Sequence, residues 1–423
     1  MLELWFDFSC PYAYLASRQA ASLGVLVDWR PMLLGGVFRG TGAGDGPMAT
    51  LSPQKAAHNY RDMHRWAELF GHPFQVPSAH PMRTVRALRV LLGLPHSRWP
   101  EAIAAIYTAY WERAEDITRD DVLRAALRSA GTSDADLEAA FARADSDAIK
   151  DELRRRTDEA IALGIFGAPA WVIRRSSGPL LLWGQDRLDW VRAAIAGWDP
   201  DTDAPPRPTV TEVARAAPGA TLDVYFDVSS PFAYLGLTQL PALASASGVT
   251  PRLVPILLGA LFRDIKQADV PMFAMPPAKQ RYVGLEMTRW ARWWNVPFRF
   301  PTTFPQRTVT AQRLCILAAE RSFDDGIRFA ILVGRAMWAE QQNLEDPDTL
   351  RRILATADLP VEWVARTQEP EIKAALVATT TSARDRGVFG APTFVVNRTL
   401  LFWGQDRLDL VGRALAGWIP KGE

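Results

Sequence analysis

Cysteine is nearly absent from this chain of 423 residues. Cys10 and Cys315 are too few for a disulfide framework and share no short zinc-type spacing, so any cysteine chemistry rests on one thiol. Histidine is also scarce: His58, His64, His72, His80 and His96 all lie in the N-terminal half, and no two sit one helical turn apart, which argues against a metal site. Neither sign of charge predominates. Forty-eight Lys and Arg against 47 Asp and Glu leave +1, so no net field draws the chain to nucleic acid or to anionic lipid. No apolar run approaches the roughly 20 residues that cross a bilayer. The start, Met1-Leu2-Glu3-Leu4-Trp5-Phe6, reads as a strand without a basic leader. The expectation is a cytoplasmic protein with no nucleic-acid or membrane partner.

What is present is a duplication. Leu4-Trp5-Phe6-Asp7-Phe8-Ser9-Cys10-Pro11-Tyr12-Ala13-Tyr14-Leu15 returns as Val224-Tyr225-Phe226-Asp227-Val228-Ser229-Ser230-Pro231-Phe232-Ala233-Tyr234-Leu235. Gly164-Ile165-Phe166-Gly167-Ala168-Pro169 returns as Gly387-Val388-Phe389-Gly390-Ala391-Pro392, and the run Trp183 to Trp198 matches Trp403 to Trp418 at 12 of 16 positions. Pro81 with Arg83-Thr84-Val85 matches Pro305 with Arg307-Thr308-Val309. A period near 220 residues is a duplicated domain, not a solenoid. The expected domains are residues 1–198 and 220–423, joined by an Asp-, Pro- and Ala-rich linker over 199–219.

Each half reads as βαβ, then helices, then ββα, a mixed α/β pattern. A strand over Leu2 to Phe8 runs through a Ser-Cys-Pro turn into a helix with Pro at its first turn, and a second strand spans Val25 to Arg30, or Pro251 to Leu257 in the repeat. A long helical stretch from about Pro53 to Asp158 is the insertion. Two apolar strands, Ala170 to Ile173 and Leu180 to Trp183 (Thr393 to Val396 and Leu400 to Trp403), precede a last helix opened by Asp186 or Asp406.

Cys10 stands where a helix begins just after a strand, and free N–H groups with the helix dipole favour a thiolate there. Its motif, Cys10-Pro11-Tyr12-Ala13, lacks the second cysteine of a Cys-x-x-Cys pair, so internal disulfide exchange is excluded. Ser230 at the matching place does not ionise near pH 7, but its hydroxyl can donate to another molecule's thiolate. The plainer reading makes Cys10 a buried small residue and Ser230 an ordinary N-cap.

The Asp-x-Ser-Ser-Pro-Phe-Ala-Tyr-Leu opening, the Gly-Val-Phe-Gly-Ala-Pro-Thr-Phe segment and the Trp-Gly-Gln-Asp-Arg-Leu ending resemble 2-hydroxychromene-2-carboxylate isomerases and the related kappa-class glutathione transferases. The resemblance implies two tandem thioredoxin-like domains of the DsbA-like kind, each with a helical insertion, and glutathione as cofactor. It implies that Ser230, with Cys10 at the matching place, meets the glutathione sulfur. Pro169 and Pro392 would be cis, with the backbone of Ala168 and Ala391 pairing with the cysteinyl part. Gln185-Asp186-Arg187 and Gln405-Asp406-Arg407 would meet the γ-glutamyl end, although Asp is also a preferred N-cap. Lys55 and Lys279, two of only six lysines, would meet a glutathione carboxylate. The family's loop asparagine is replaced by Ala43 or Gln267, and with Ser230 this favours the second half as the working site. Lys150 and Lys373 read as structural. The aromatic group Trp290, Trp293, Trp294, Phe298 and Phe300, with Trp66 and Phe74, reads as lobe core or as a pocket wall.

The expected activity is glutathione-dependent isomerisation of a small aromatic-derived or unsaturated carbonyl compound, the thiolate adding, permitting rearrangement and leaving. The two halves would form an intramolecular pseudo-dimer. A glutathione transferase or monothiol disulfide reductase working through Cys10, and a non-catalytic binding or scaffold protein, remain as alternatives.

Overall fold

The computed structural model describes residues 1–44, 46, 51–203 and 213–423; of the expected linker over 199–219, residues 204–212 lie outside the described residues. In the first half β1 (Leu2–Phe6) pairs in parallel with β2 (Val27–Pro31) and antiparallel with β3 (Ala170–Arg175), which pairs antiparallel with β4 (Gly178–Trp183). The sheet order is β2-β1-β3-β4. The second half repeats it as β6-β5-β7-β8, from β5 (Leu222–Phe226), β6 (Arg252–Pro255), β7 (Thr393–Val396) and β8 (Leu400–Trp403). β1 and β5 are buried along their whole length, as central strands covered on both faces must be.

The strand expected over residues 2–8 stops at Phe6 because Asp7 turns inward. Its buried carboxylate accepts from Ser9 N (3.0 Å), from Leu34 N (2.8 Å) just past β2, and from the Thr84 hydroxyl. Asp227 does the same with Ser229 N (2.9 Å), Leu258 N (2.9 Å) and Thr308 Oγ1 (3.0 Å). One carboxyl thus ties together the turn before Cys10 or Ser230, the segment after the parallel strand and a helix start within the insertion. Burial pushes both carboxyls up, against the pull of these donors. β2 starts at Val27, two residues later than expected, with Leu26 almost fully exposed before it.

The insertion is not one long helix. Between Pro53 and Ala162 it comprises the helices Pro53–Leu69, Val85–Gly93, Trp99–Trp111, Asp120–Ser129, Asp134–Ala144 and Asp147–Ala162. Ser52, Ser133 and Ser146 cap three of them, each hydroxyl accepting from a first-turn N–H. The second half repeats the series from Pro277–Trp293 to Pro370–Asp385.

The first helix of each insertion docks on the other half. Trp183 N on β4 donates to Tyr282 Oη (2.8 Å), and Arg289 Nη1 donates to Leu181 O (2.9 Å). Reciprocally, Trp403 N on β8 donates to His58 Nε2 (3.3 Å) and Arg65 Nη1 to Leu401 O (2.7 Å). Each sheet therefore has one of its two edge strands, β4 or β8, covered by side chains of the opposite half, which satisfies edge groups that would otherwise invite foreign pairing. Burial pushes His58 down to about 4, so its Nε2 stays a neutral acceptor. Trp290 and Trp293, expected in lobe core or a pocket wall, instead pack on Trp190 (4.7 Å between ring centres) and Trp198 (5.0 Å) of the first half.

Replacing Asp227 by Ala leaves Ser229 N, Leu258 N and Thr308 Oγ1 without their acceptor, at about 1–3 kcal/mol for each buried unsatisfied group. The expected outcome is a loss of several kcal/mol in denaturant unfolding, and a loss of Ser230-dependent ligand binding before global unfolding.

Candidate functional site

Pro231 opens the helix Pro231–Ser247, and Ser230 is its N-cap: Ser230 Oγ accepts from Ala233 N (3.1 Å) and donates to Ala391 O (2.8 Å). Ala391 and Pro392 are joined by a cis peptide bond, as are Ala168 and Pro169. Cys10 holds the matching place on the helix Pro11–Gln19 and its Sγ lies 3.1 Å from Ala168 O. The structure thus brings Cys10 to Ala168-Pro169 and Ser230 to Ala391-Pro392.

The thiolate expected at Cys10 is not favoured here. Burial pushes the thiol up to about 12, outweighing the Ala13 and Tyr12 N–H groups that pull it down. A protonated Sγ facing a carbonyl at 3.1 Å is consistent with a thiol donor. Cys315 is buried in the helix Val309–Arg321 and its thiol is likewise held above the usual range by burial.

The Gln-Asp-Arg segments lead into the last helices, Leu188–Ile195 and Leu408–Leu415, but their N-caps are Arg187 and Arg407 and not the aspartates; Asp186 lies in a turn, and Gln405–Arg407 form a 3-10 turn that runs straight into the helix. The two segments meet each other. Arg187 Nη2 pairs with Asp406 (2.8 Å) and Glu286 (2.8 Å), while Arg407 pairs with Asp186 (2.7 Å) and Asp62 (3.1 Å). Burial opposes charge on both guanidiniums, but the surrounding carboxylates outweigh it and keep them firmly protonated. Asp406 resists the upward push of burial because Arg407 and Arg187 hold it below the ordinary carboxylate range. Glu286 goes the other way: burial raises it in spite of Arg187.

Gly184 and Gly404 make these turns possible. Their φ values of +118° and +106° disfavour any L side chain, and a Cβ there would meet Asp186 Oδ1 at 2.4 Å or Asp406 Oδ1 at 2.5 Å. Gln185 and Gln405 are buried behind the turns.

The lysines cross over. Lys55 Nζ lies over the ring of Trp403 (4.8 Å), and Lys279 Nζ over Trp183 (5.5 Å) of the first half. Trp403 and Trp183 crowd Gly390 and Gly167, so each lysine approaches the Phe-Gly-Ala-Pro loop of the opposite half. Lys279, expected to serve with Ser230, is placed beside the first half's loop. Neither ammonium has a carboxylate within salt-bridge distance among the described residues. Burial, then repulsion from Lys279, lowers Lys55 to about 8, and burial lowers Lys279 in spite of Glu286. Gln267 lies half-buried past the helix Leu258–Asp264, and Ala43 at the corresponding turn.

Phe298, Phe300 and Phe304 surround Trp338, whose indole donates to Val228 O (2.8 Å) two residues before Ser230. In the first half Trp111 donates to Phe8 O (2.8 Å), but His80 stands in place of Phe304 and meets Tyr110 Oη at 3.0 Å. Sequence reasoning missed Asp62, Glu286, His58, Tyr282, Arg65 and Arg289. The signal was there: Lys55, His58, Asp62 and Arg65 recur at an offset of 224 as Lys279, Tyr282, Glu286 and Arg289, at spacings that put all four on one helical face. Asp7 and Asp227 stood inside the repeated motif without a role assigned.

A central strand leading to a Pro-started helix, facing an Ala–cis-Pro turn, twice over, defines a duplicated protein of the thioredoxin class. The chain belongs to the DSBA-like thioredoxin domain family, whose profile matches residues 1–196 and again 221–416. It is similar to the 2-hydroxychromene-2-carboxylate isomerase of Sphingobium xenophagum, 29% identical over 198 residues, which span 45% of this chain and 95% of that protein. It is also similar to glutathione S-transferase kappa 1 of Rattus norvegicus, 27% identical over 202 residues, 45% of this chain and 88% of that one. A solved structure of 2-hydroxychromene-2-carboxylate isomerase aligns with a TM-score of 0.41 and 21% identity over 46% of this chain and 94% of that chain. Among the described residues no helix is long and apolar enough to cross a membrane.

Two outcomes are expected of this site. Arg187→Met leaves Asp186, Asp406 and Glu286 short of a cation and should cost about 3–5 kcal/mol near neutral pH, read by denaturant unfolding. The stability that Asp406 contributes is present above its unfolded value and lost as pH falls through its lower folded value, so wild type and variant should converge in acid. Lys55, lowered in the folded state, depresses stability below about pH 8, an effect relieved as pH rises toward its unfolded value. In the intact protein it should titrate near 8 by NMR of the methylated amine, and shift upward when an anion binds beside it.

Proposed function

We propose that the chain is a glutathione-dependent isomerase acting on a small aromatic-derived or unsaturated carbonyl compound, built from domains 1–198 and 220–423 joined by 199–219. The observation that carries the reading is the Ser230 hydroxyl, held at a helix N-terminus by Ala233 N and aimed at the carbonyl of a cis Ala-Pro turn. The residues fit the tripeptide by their chemistry. A hydroxyl and a helix N-terminus suit its sulfur, the Ala391-Pro392 turn its backbone, a lysine without an acidic partner a carboxylate, and Asp406, whose carboxylate is shared with Arg187 and Arg407, its amino end. When bound, glutathione supplies a thiol that can act as a nucleophile.

The chain's own residues do the rest. The Ser230 proton turns from Ala391 O toward an anionic sulfur, and the N–H groups of the first turn stabilise the same charge. Lys55, from the first half, lies over Trp403 against the second half's Phe-Gly-Ala-Pro loop and orients a carboxylate there; Lys279 lies over Trp183 against the loop of Ala168-Pro169. Phe300 and Phe304 pack edge-on to each other around Trp338, whose indole bonds Val228 O two residues before Ser230, and offer apolar surface on that side. A transferase reading shares this machinery. A monothiol reductase working through Cys10 is disfavoured by the burial that keeps its thiol protonated.

Calorimetry with glutathione on the intact chain tests the reading. Saturable binding is expected, weakened roughly tenfold or more by Ser230→Ala and much less by Cys10→Ala. Isomerase turnover that survives Cys10→Ser would separate this reading from the reductase. No binding at millimolar glutathione would sink it in favour of a scaffold.

A further inference from the structure

The second half carries a groove of about 890 Å³ at the end of its sheet remote from Ser230. β5 runs from Leu222 toward Phe226 and on to Ser230, whereas the groove is lined by Leu222 and Asp223 at the start of that strand and by Thr250 and Arg252 at the start of β6. One wall is the stretch 215–221, fixed by Ala216 N to Ser247 O (3.0 Å) and Ala217 N to Leu415 O (2.8 Å). The volume lies within the roughly 300–1,000 Å³ of small-molecule sites.

Four arginines line it: Arg215, Arg252, Arg386 and Arg398. Arg252 is held by Asp223 through Nε and Nη2 (2.7 Å each), so that pair is close to neutral. The other three have no carboxylate partner among the described residues; the Arg386 side chain donates only to the carbonyl of Arg398 (3.5 Å). Among the described residues no other acidic side chain lines the groove. Three guanidiniums without a carboxylate partner among the described residues line one concavity, and together they make a local positive field. The first half lacks the feature: Asp28 and Leu163 stand at the positions of Arg252 and Arg386.

We propose that this groove is a binding site for a small polyanion, a compound bearing a pyrophosphate-like group or several carboxylates, separate from the Ser230 centre. Guanidiniums bind either group through paired N–H donors, so the chemistry is shared and the probes distinguish the source.

The test uses the full chain and calorimetry at low ionic strength with two probes, pyrophosphate and citrate. Saturable submillimolar binding of one or both is expected, and the tighter probe identifies the anion class. Arg386→Gln/Arg398→Gln should weaken it at least tenfold, while Arg307→Gln, an exposed arginine outside the groove, leaves it unchanged. Ser230→Ala should also leave it unchanged, so a failure of the glutathione reading does not touch this one. If the double variant fails to fold, the exposed Arg215→Gln carries the comparison alone. Absence of saturable binding by both probes, binding that survives the groove substitutions, or equal loss with Arg307→Gln overturns the proposal.

Discussion

Two buried guanidiniums, Arg187 and Arg407, sit where the halves meet, and each is shared between carboxylates of both halves. Neither charge is tolerable alone in that environment. Desolvating an isolated ion costs several kcal/mol even after relaxation, and only the crossing pairs with Asp186, Asp406, Asp62 and Glu286 offset it. The turns that present Asp186 and Asp406 therefore depend on the opposite half for their electrostatics. The edge strands depend on it too, because Leu181 O and Leu401 O receive their donors from Arg289 and Arg65. The helix Pro53–Leu69 lines one half's interface while its first turn brings Lys55 to the other half's loop. Each candidate site therefore has its Ser230 or Cys10 and its cis-proline turn within one half, while its nearby lysine comes from the other.

Fusion removes the need for the copies to be identical. In a symmetric pair every substitution appears at both sites, but in one chain each site drifts alone. In the repeat Cys10 corresponds to Ser230, His80 to Phe304, His58 to Tyr282, and Asp62 to Glu286. The interface substitutions keep their hydrogen-bonding roles: a neutral imidazole and a phenol each accept from the backbone N–H of an edge-strand tryptophan, and a shorter and a longer carboxylate each reach an arginine. The substitutions near the chemistry do not. A thiol pushed up to about 12 replaces a hydroxyl, and an imidazole paired with Tyr110 replaces an aromatic face. The motif that follows β1 and β5 is otherwise closely kept, so the change from Ser230 to Cys10 stands out within it.

Much of this was legible in the chain because the repeat compares the sequence with itself. The strand-turn-helix motif, the Ala-Pro loops and the turn segments were found by recurrence, and the topology followed from hydrophobic pattern and order. What recurrence could not show was partnership. Asp186 looked like a helix cap because a local rule explains it, yet its partner Arg407 lies 221 positions away. Lys55 and Lys279 were assigned each to its own half for the same reason, since sequence proximity carries no information about which edge a helix covers. The thiolate expected at Cys10 is opposed for a related cause: a helix N-terminus favours an anion only to the extent that burial permits it, and burial depends on packing that no local motif records.

The lysines show how far this dependence reaches. An ammonium left without an acidic partner is costly in a half-buried site, and Lys55 and Lys279 also repel each other. Trp403 and Trp183 repay part of that cost through their ring faces, but a ring supplies only about 0.5–2 kcal/mol. Carboxylates were available to a chain with 47 acidic residues, and the same helix face places Asp62 and Glu286 two turns further on, where the arginines take them. The acids are thus spent on holding the halves together, and the two lysines keep a charge that an anionic partner would relieve. The arrangement that stabilises the interface is the one that leaves its neighbours ready to bind.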